Sequence, residues 1–223
     1  RLEQLGLNRT SAQAGFWSAL PQLPRLTSLA LEQLSEEMFE ALLSWLPACP
    51  RLDTLQLAGD HLLTLPQLPP SLTRLKVEGI VSLPVAPFAP SLRCLQLHFC
   101  SSIEVWPESM SSMVQLTALH IHGGLPELPP PLAALPALEE VQLDYNHLTD
   151  LPGQLAWLGT VRRLVLSCCR LKRVPAVLGG GAASRLEFLD LAENRELVMT
   201  EEQFGVLRSL TALRRLNIRD IGI

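Results

Sequence analysis

His98, His122 and Asp144 recur at intervals of 24 and 22 residues, and His120 lies two residues before His122. Imidazole nitrogens and a carboxylate are ligands that zinc takes at about 2.0–2.2 Å. They converge only if the chain returns to the same place every twenty-odd residues. The plainer reading is a set of histidines on an exposed binding face, where they titrate near neutral pH and make a pH-sensitive contact. No metal is assigned; zinc on His98, His120, His122 and Asp144 stands as the alternative, and zinc titration separates the two. The five cysteines, Cys49, Cys94, Cys100, Cys168 and Cys169, are odd in number and match no zinc spacing. A vicinal pair such as Cys168–Cys169 is a poor disulfide, so all five read as reduced thiols of an intracellular protein. There is no Gly-x-Ser-x-Gly, His-Glu-x-x-His or phosphate-loop motif. Gly179-Gly180-Gly181-Ala182-Ala183 lacks the Lys-Ser/Thr that a phosphate loop needs and reads as a flexible loop insertion. No catalytic residue and no cofactor are assigned, and the chain is read as a non-enzyme.

What would bring those histidines together is a repeat. Leu138, Val141, Leu143, Asn146 and Leu148 follow a Leu-x-x-Leu-x-Leu-x-x-Asn-x-Leu beat. The same beat starts at Leu2, Leu26, Leu52, Leu72, Leu92, Leu116, Val161, Leu186 and Leu213. The ten starts lie 24, 26, 20, 20, 24, 22, 23, 25 and 27 residues apart, in register along the whole chain. The fourth and sixth positions are two apart, so in a strand both point to one face, and that face is buried. A single short strand cannot bury its leucines alone, so it stacks on its neighbour and a parallel sheet results. None of the 18 prolines falls inside a Leu-x-x-Leu-x-Leu segment, which keeps the ladder of N–H donors intact.

The spacing also predicts what lies between the strands. The 20-residue units leave room only for an extended, proline-bearing return path, as in Leu65-Pro66-Gln67-Leu68-Pro69-Pro70. Units of 22–23 residues allow a 3-10 turn, and the longest hold a helix. Ser35-Glu36-Glu37-Met38-Phe39 opens one helix, with an apolar stripe of Phe39, Leu42, Leu43 and Leu46. Thr200-Glu201-Glu202-Gln203 opens another as a capping box. Trp17, Trp45, Trp106 and Trp157 fall in return paths and read as packing residues of the convex side. At the ninth position Asp60, Cys100, Asn146, Cys169 and Asn194 suit an inward polar or thiol ladder; Leu34, Ile80 and Ile221 predict local departures.

This pattern resembles the leucine-rich-repeat superfamily over essentially the whole chain. The segment from Leu138 to Pro152 is similar to repeats of intracellular signalling scaffolds and plant resistance proteins. Leu68-Pro69-Pro70-Ser71-Leu72 through Val77 is similar to the 20-residue repeats of bacterial effector ligases, though no Cys-x-Asp occurs here. Mixed repeat lengths also resemble large algal members, some of them tied to the ciliary axoneme. The resemblance implies an α/β leucine-rich-repeat solenoid, a horseshoe of about ten repeats. A parallel sheet would line its concave side, and helices, 3-10 turns and extended segments its convex side. It implies one such domain over 1–223, a fragment of a longer array, in a cytoplasmic protein.

Across the superfamily the usual role is protein binding on the concave sheet. The register puts positions three, five, seven and eight there. In the central repeats these include Gln96, His98 and Phe99, then His120 and His122, then Gln142, Asp144 and Tyr145. Phe99 and Tyr145 are the bulky aromatics of that set, and aromatics ringed by polar groups are where interfaces concentrate energy. The expected function is a scaffold that binds another protein; the alternative is the recognition part of a larger enzyme such as a ubiquitin ligase. A net charge of −4 and pI of 5.8 do not suit a nucleic-acid binder, and no apolar run is long enough to span a membrane. A monomer is expected.

Overall fold

The computed structural model describes residues 2–8, 23, 25–33, 39, 42, 44–65, 67–83, 88–99 and 101–222, with the side chains of 8, 60–64, 80 and 81 left aside. The chain forms two compact units, Arg1–Gln115 and Leu116–Ile223. In the first, β1 (Gln4–Asn8), β2 (Ser28–Glu32), β3 (Thr54–Thr64), β4 (Arg74–Ser82) and β5 (Cys94–His98) pair in sequence order, all parallel. In the second, β6 (Ala118–His122), β7 (Glu140–Gln142), β8 (Arg163–Val165), β9 (Phe188–Asp190) and β10 (Arg215–Asn217) do the same. This is the leucine-rich-repeat solenoid that the leucine spacing predicts.

The register explains why it holds. Leu29, Leu55, Leu75 and Leu95 sit side by side across the first unit, as do Leu119, Val141, Leu164 and Leu189 across the second. Each of these fourth-position side chains is at most 1% exposed. Full burial of such a side chain contributes about 1.5–3 kcal/mol, and each needs the neighbouring strand to achieve it.

The return paths follow their length only at the extremes: the 22-residue unit from Leu116 holds a short helix, the 23-residue unit from Leu138 has turns and no 3-10 helix, and the 3-10 turns fall in units of 24–26 residues. The two 20-residue units carry no described helix; instead β3 and β4 run on beyond the leucine segment. Leu62 pairs with Ile80 and Thr64 with Ser82 after an irregularity between Ala58 and Leu62. A path too short for a helix satisfies its backbone groups by continuing the ladder. Elsewhere 3-10 turns cover Leu46–Ala48, Glu108–Ser112 and Ala176–Leu178, and a short helix, α1, covers Pro130–Ala133. Of the helix expected from Ser35, residues 35–38 and Leu43 lie outside the described residues. Phe39, Leu42 and Trp45 are helical and buried, whereas Leu46, also buried, opens the 3-10 turn.

The helix expected from Thr200 is α2 (Glu201–Arg208), and the Thr200 hydroxyl accepts from the Gln203 N–H at 3.4 Å. The reciprocal half of the capping box takes a different form. Gln203 is buried, and its Oε1 accepts from the Val174 N–H at 2.6 Å, tying the helix to the preceding repeat. Gly179–Ala183 is not a loose loop but a run of turns, with Gly180 and Gly181 at positive φ and Ala183 fully buried. Trp45 and Trp157 are buried and Trp106 is half-buried, while Trp17 lies outside the described residues. Among the described residues no helix is long and apolar enough to cross a membrane.

The inward ladder is clearest in the second unit. Asn146 donates to the carbonyls of Ile121 (2.7 Å) and Leu143 (2.8 Å) and accepts from the Leu125 N–H at 2.9 Å. Asn194 repeats the arrangement with Leu166, Leu191 and Leu171. Between them the Cys169 thiol donates to the Leu143 carbonyl at 3.2 Å, and burial pushes its pKa up to about 11. Cys169 is therefore a structural thiol; Thr10, Leu34 and Cys100 lie outside the described residues. Replacing Asn146 by Ala strips partners from three backbone groups in a dry interior. That should cost about 2–4 kcal/mol in urea unfolding, against less than about 0.5 kcal/mol for the exposed Thr149→Ala. A loss under about 1 kcal/mol for Asn146→Ala would show that the ladder is dispensable.

Candidate functional site

One backbone feature recurs just after the leucine segment of the repeat. At the eighth position of the repeat the chain turns into the left-handed region: Gln33 (φ 55°), Gly79 (77°) and Phe99 (55°) in the first unit. In the second unit the same position gives Gly123 (127°), Tyr145 (57°), Cys168 (52°), Glu193 (58°) and Asp220 (53°). The turn steers the chain out of the strand so that the ninth-position residue can point inward, as Asn146 and Asn194 do. For a residue with a Cβ this conformation costs about 1–2 kcal/mol, which glycine escapes. Phe99 and Tyr145 bear that cost with side chains 72% and 65% exposed. Neither ring is recovering it through burial.

In the first unit Gln96 and His98 lie half-buried on β5, on the solvent-facing side of the sheet. Glu78 of β4 faces both Lys76 Nζ at 2.7 Å and His98 Nδ1 at 3.5 Å. Gln96 donates to Cys94 Sγ at 3.7 Å. Phe99 stands at the end of the strand, on the rim of a cavity of about 500 Å³.

The second unit carries three rows of polar contacts. In the first row, Glu140 of β7 is the hub. His120 Nε2 lies 3.7 Å away, Arg163 Nε 3.4 Å away, and Gln142 donates to it at 2.6 Å. Arg163 in turn lies over the ring of Phe188, 3.9 Å from its centre. In the second row His122 Nε2 is 2.9 Å from Asp144 Oδ1. In the third, Tyr145 and Cys168 occupy the eighth position of successive repeats and hydrogen-bond side chain to side chain, and the nearby Cys168 raises the phenol pKa.

The imidazoles of this unit face carboxylates in separate rows, and among the described residues no group of three or more His, Cys, Asp or Glu is arranged to hold a metal ion. Sequence reasoning missed Phe188 and Arg163 as partners. Both stand at the third position of neighbouring repeats, next to Glu140, so the register itself held the signal.

No family model matches the sequence. Several solved structures share the fold. InlP of Listeria monocytogenes is 19% identical with a TM-score of 0.63, over 86% of this chain and 56% of that one. Toll of Drosophila, solved in complex with Spatzle, is 20% identical with a TM-score of 0.68, over 98% of this chain and 29% of that one. The plant peptide hormone receptor RGFR1, solved with RGF2, is 15% identical with a TM-score of 0.60, over 99% and 40%. All three are leucine-rich-repeat proteins. The chain thus spans between about a third and a little over half of the structures it resembles.

Two titrations follow from the rows. Burial lowers the pKa of His120 from 6.5, outweighing the attraction of Glu140. The unfolded chain then takes up that proton first as pH falls. Its contribution to stability is whole above pH 6.5 and is lost as pH drops toward the folded value. Burial alone would raise the pKa of Asp144, but the hydrogen bond and charge of His122 prevail and hold it below 3.8. That contribution is whole above pH 3.8 and disappears as pH falls through the lowered value. Urea midpoints should decline between pH 7 and pH 5.5, and His120→Gln should flatten that slope. An unchanged slope in the variant would remove His120 as its source.

Proposed function

We propose that this leucine-rich-repeat solenoid is a scaffold that binds a protein or peptide segment on the solvent-facing side of its strands and performs no catalysis of its own. One observation carries the reading. Phe99 and Tyr145 are large, exposed aromatics held in a backbone conformation that glycine would fill at lower cost. Strain kept without a folding benefit points to a use for the side chain. Rigid aromatics beside half-buried polar groups are the composition of an interface hot spot. Gln96 and His98 flank Phe99 in one unit; His120, His122, Gln142 and Asp144 flank Tyr145 in the other. Toll solved with Spatzle, and RGFR1 solved with RGF2, are solenoids of the same fold that carry such partners. A formal charge of −4 also suits a polypeptide partner better than a polyanion. The reading as the recognition part of a larger enzyme uses this same surface.

The test is selection of binding peptides from a random displayed library, followed by affinity measurement of the best peptide against variants. Phe99→Ala or Tyr145→Ala should weaken it at least about tenfold, the scale of a hot-spot residue. Lys172→Ala, on an exposed side chain of a return path, should leave it unchanged. If the aromatic variants bind as well as the parent, the surface has been misassigned.

A second measurement separates binding from folding. Tyr145→Gly should unfold no earlier than the parent, gaining up to about 1 kcal/mol from release of the left-handed strain, while losing the peptide. Clear destabilisation would mean that Tyr145 is there for the fold.

A further inference from the structure

We propose that Arg163 of the second unit, its guanidinium stacked on Phe188, anchors an acidic side chain of a bound peptide. Arg215 faces the same carboxylate from the other side of the ring. The proposal rests on the scaffold reading and deepens it by naming one residue class that the partner must carry.

Arg163, Phe188 and Arg215 are register partners at the third position of β8, β9 and β10, on the solvent-facing side. The ring therefore lies between two arginines whose Cα atoms stand two strand steps, about 10 Å, apart. The Arg163 guanidinium lies over the ring, 3.9 Å from its centre, a contact that restrains a long side chain. The Arg163 side chain is nonetheless 43% exposed, and Arg215 is exposed as well, so a ligand can reach both.

The acceptors around this ring are already engaged. Glu140 takes a hydrogen bond from Gln142 at 2.6 Å and faces His120, and Arg163 comes no nearer to it than 3.4 Å, at Nε. That is an ion pair, but longer than the roughly 2.7–2.9 Å of a charge-assisted hydrogen bond. Asp190 accepts from the Ala192 N–H at 3.0 Å and from Asn217 at 3.1 Å. Glu187 is held by Arg162 at 2.7 Å. The donors are not matched in the same way. Among the described residues, the terminal nitrogens of Arg163 and the guanidinium of Arg215 have no hydrogen-bond partner. Each guanidinium carries five N–H donors, so this stretch of the face has donors to offer and no acceptor to spare.

A carboxylate suits such a surplus. Its two oxygens meet the fork of Arg163 in parallel, and Arg215 adds a second cation. An incoming cation would find Glu140 and Asp190 taken, and an apolar side chain would dry out the donors without replacing their water. The charge balance sets the valence. Glu140 and Asp190 offset Arg163 and Arg215, so no excess positive charge remains to hold the two negative charges of a phosphate. The face continues on both sides of Phe188, so a peptide lying on it passes this point and presents a side chain rather than its end.

The test uses peptides selected on the full chain from a random displayed library, each fused to its carrier through the C-terminus. Every carboxylate offered is then a side chain's. The selected peptides should share one Asp or Glu, and replacing it by the amide should weaken binding at least about tenfold. In a double-mutant cycle, Arg163→Gln should weaken the acidic peptide about tenfold and leave its amide version unchanged. Damage to the fold would weaken both. Arg163→Lys should recover only part of the loss, because an ammonium neither forks nor stacks as a plane. Glu140→Gln should tighten the acidic peptide at least about twofold, because a competing carboxylate is gone. Selected peptides with no shared acid, equal losses for the two peptides on Arg163→Gln, or no gain from Glu140→Gln would overturn the proposal. So would Arg163-dependent binding found only with a free C-terminus. Peptides that need Phe99 or Tyr145 but no acid would leave the scaffold reading standing while this one falls.

Discussion

Everything in this protein depends on leucines that cannot hide by themselves. A strand of three to five residues exposes as much backbone as it covers, and its two inward side chains meet solvent unless another strand lies alongside. The side-by-side series Leu29, Leu55, Leu75 and Leu95, and its counterpart from Leu119 to Leu189, are the answer in each unit. Burial that depends on the next repeat couples neighbours and leaves distant repeats indifferent to one another. It also frees the opposite face. With the inward positions committed to aliphatic contact, the outward ones can carry histidines, carboxylates, arginines and aromatics at little cost to the core.

The strand ends convert that core into a surface. Where an asparagine stands ninth, the coil must leave its strand sharply enough for that residue to turn inward and satisfy carbonyls on two successive coils, as Asn146 does for Ile121 and Leu143. The sharp exit places the eighth residue at positive φ. An interior hydrogen-bond requirement thus dictates where a side chain is thrown outward, and Tyr145, Cys168 and Glu193 stand there, each before an inward Asn146, Cys169 or Asn194. Packing, polar satisfaction and presentation are successive consequences of one turn.

The inward leucines were legible because one residue type recurs at a fixed beat, and the extended path of the 20-residue units followed from their length. Thr200 was legible as a cap because that interaction spans three residues. The partner of Gln203 was not: Val174 lies 29 residues away, in a return path where no ladder register relates one coil to the next. Phe188 over Arg163 could have been read, since both occupy the third position and the register is fixed by the leucines. The contact of His122 with Asp144 was anticipated only as proximity, because how the two groups meet depends on side-chain torsions that spacing does not encode. The left-handed eighth position had two faint signals: glycine at 79 and 123, and no Val, Ile or Thr at any of the ten occurrences.

That exclusion has a consequence for how such a surface can change. The steric conflict at positive φ arises at Cβ and is felt most by branched residues. Beyond the first carbon the unbranched alternatives are nearly equivalent to the backbone. Glutamine, glutamate, aspartate, cysteine, phenylalanine and tyrosine all occur at this corner. Exchange among them alters shape, charge and reactivity at the rim while the folding free energy scarcely notices. The corner is therefore a socket whose fitting can be swapped, and a lineage of such chains could acquire new ligands there without rebuilding the coil beneath.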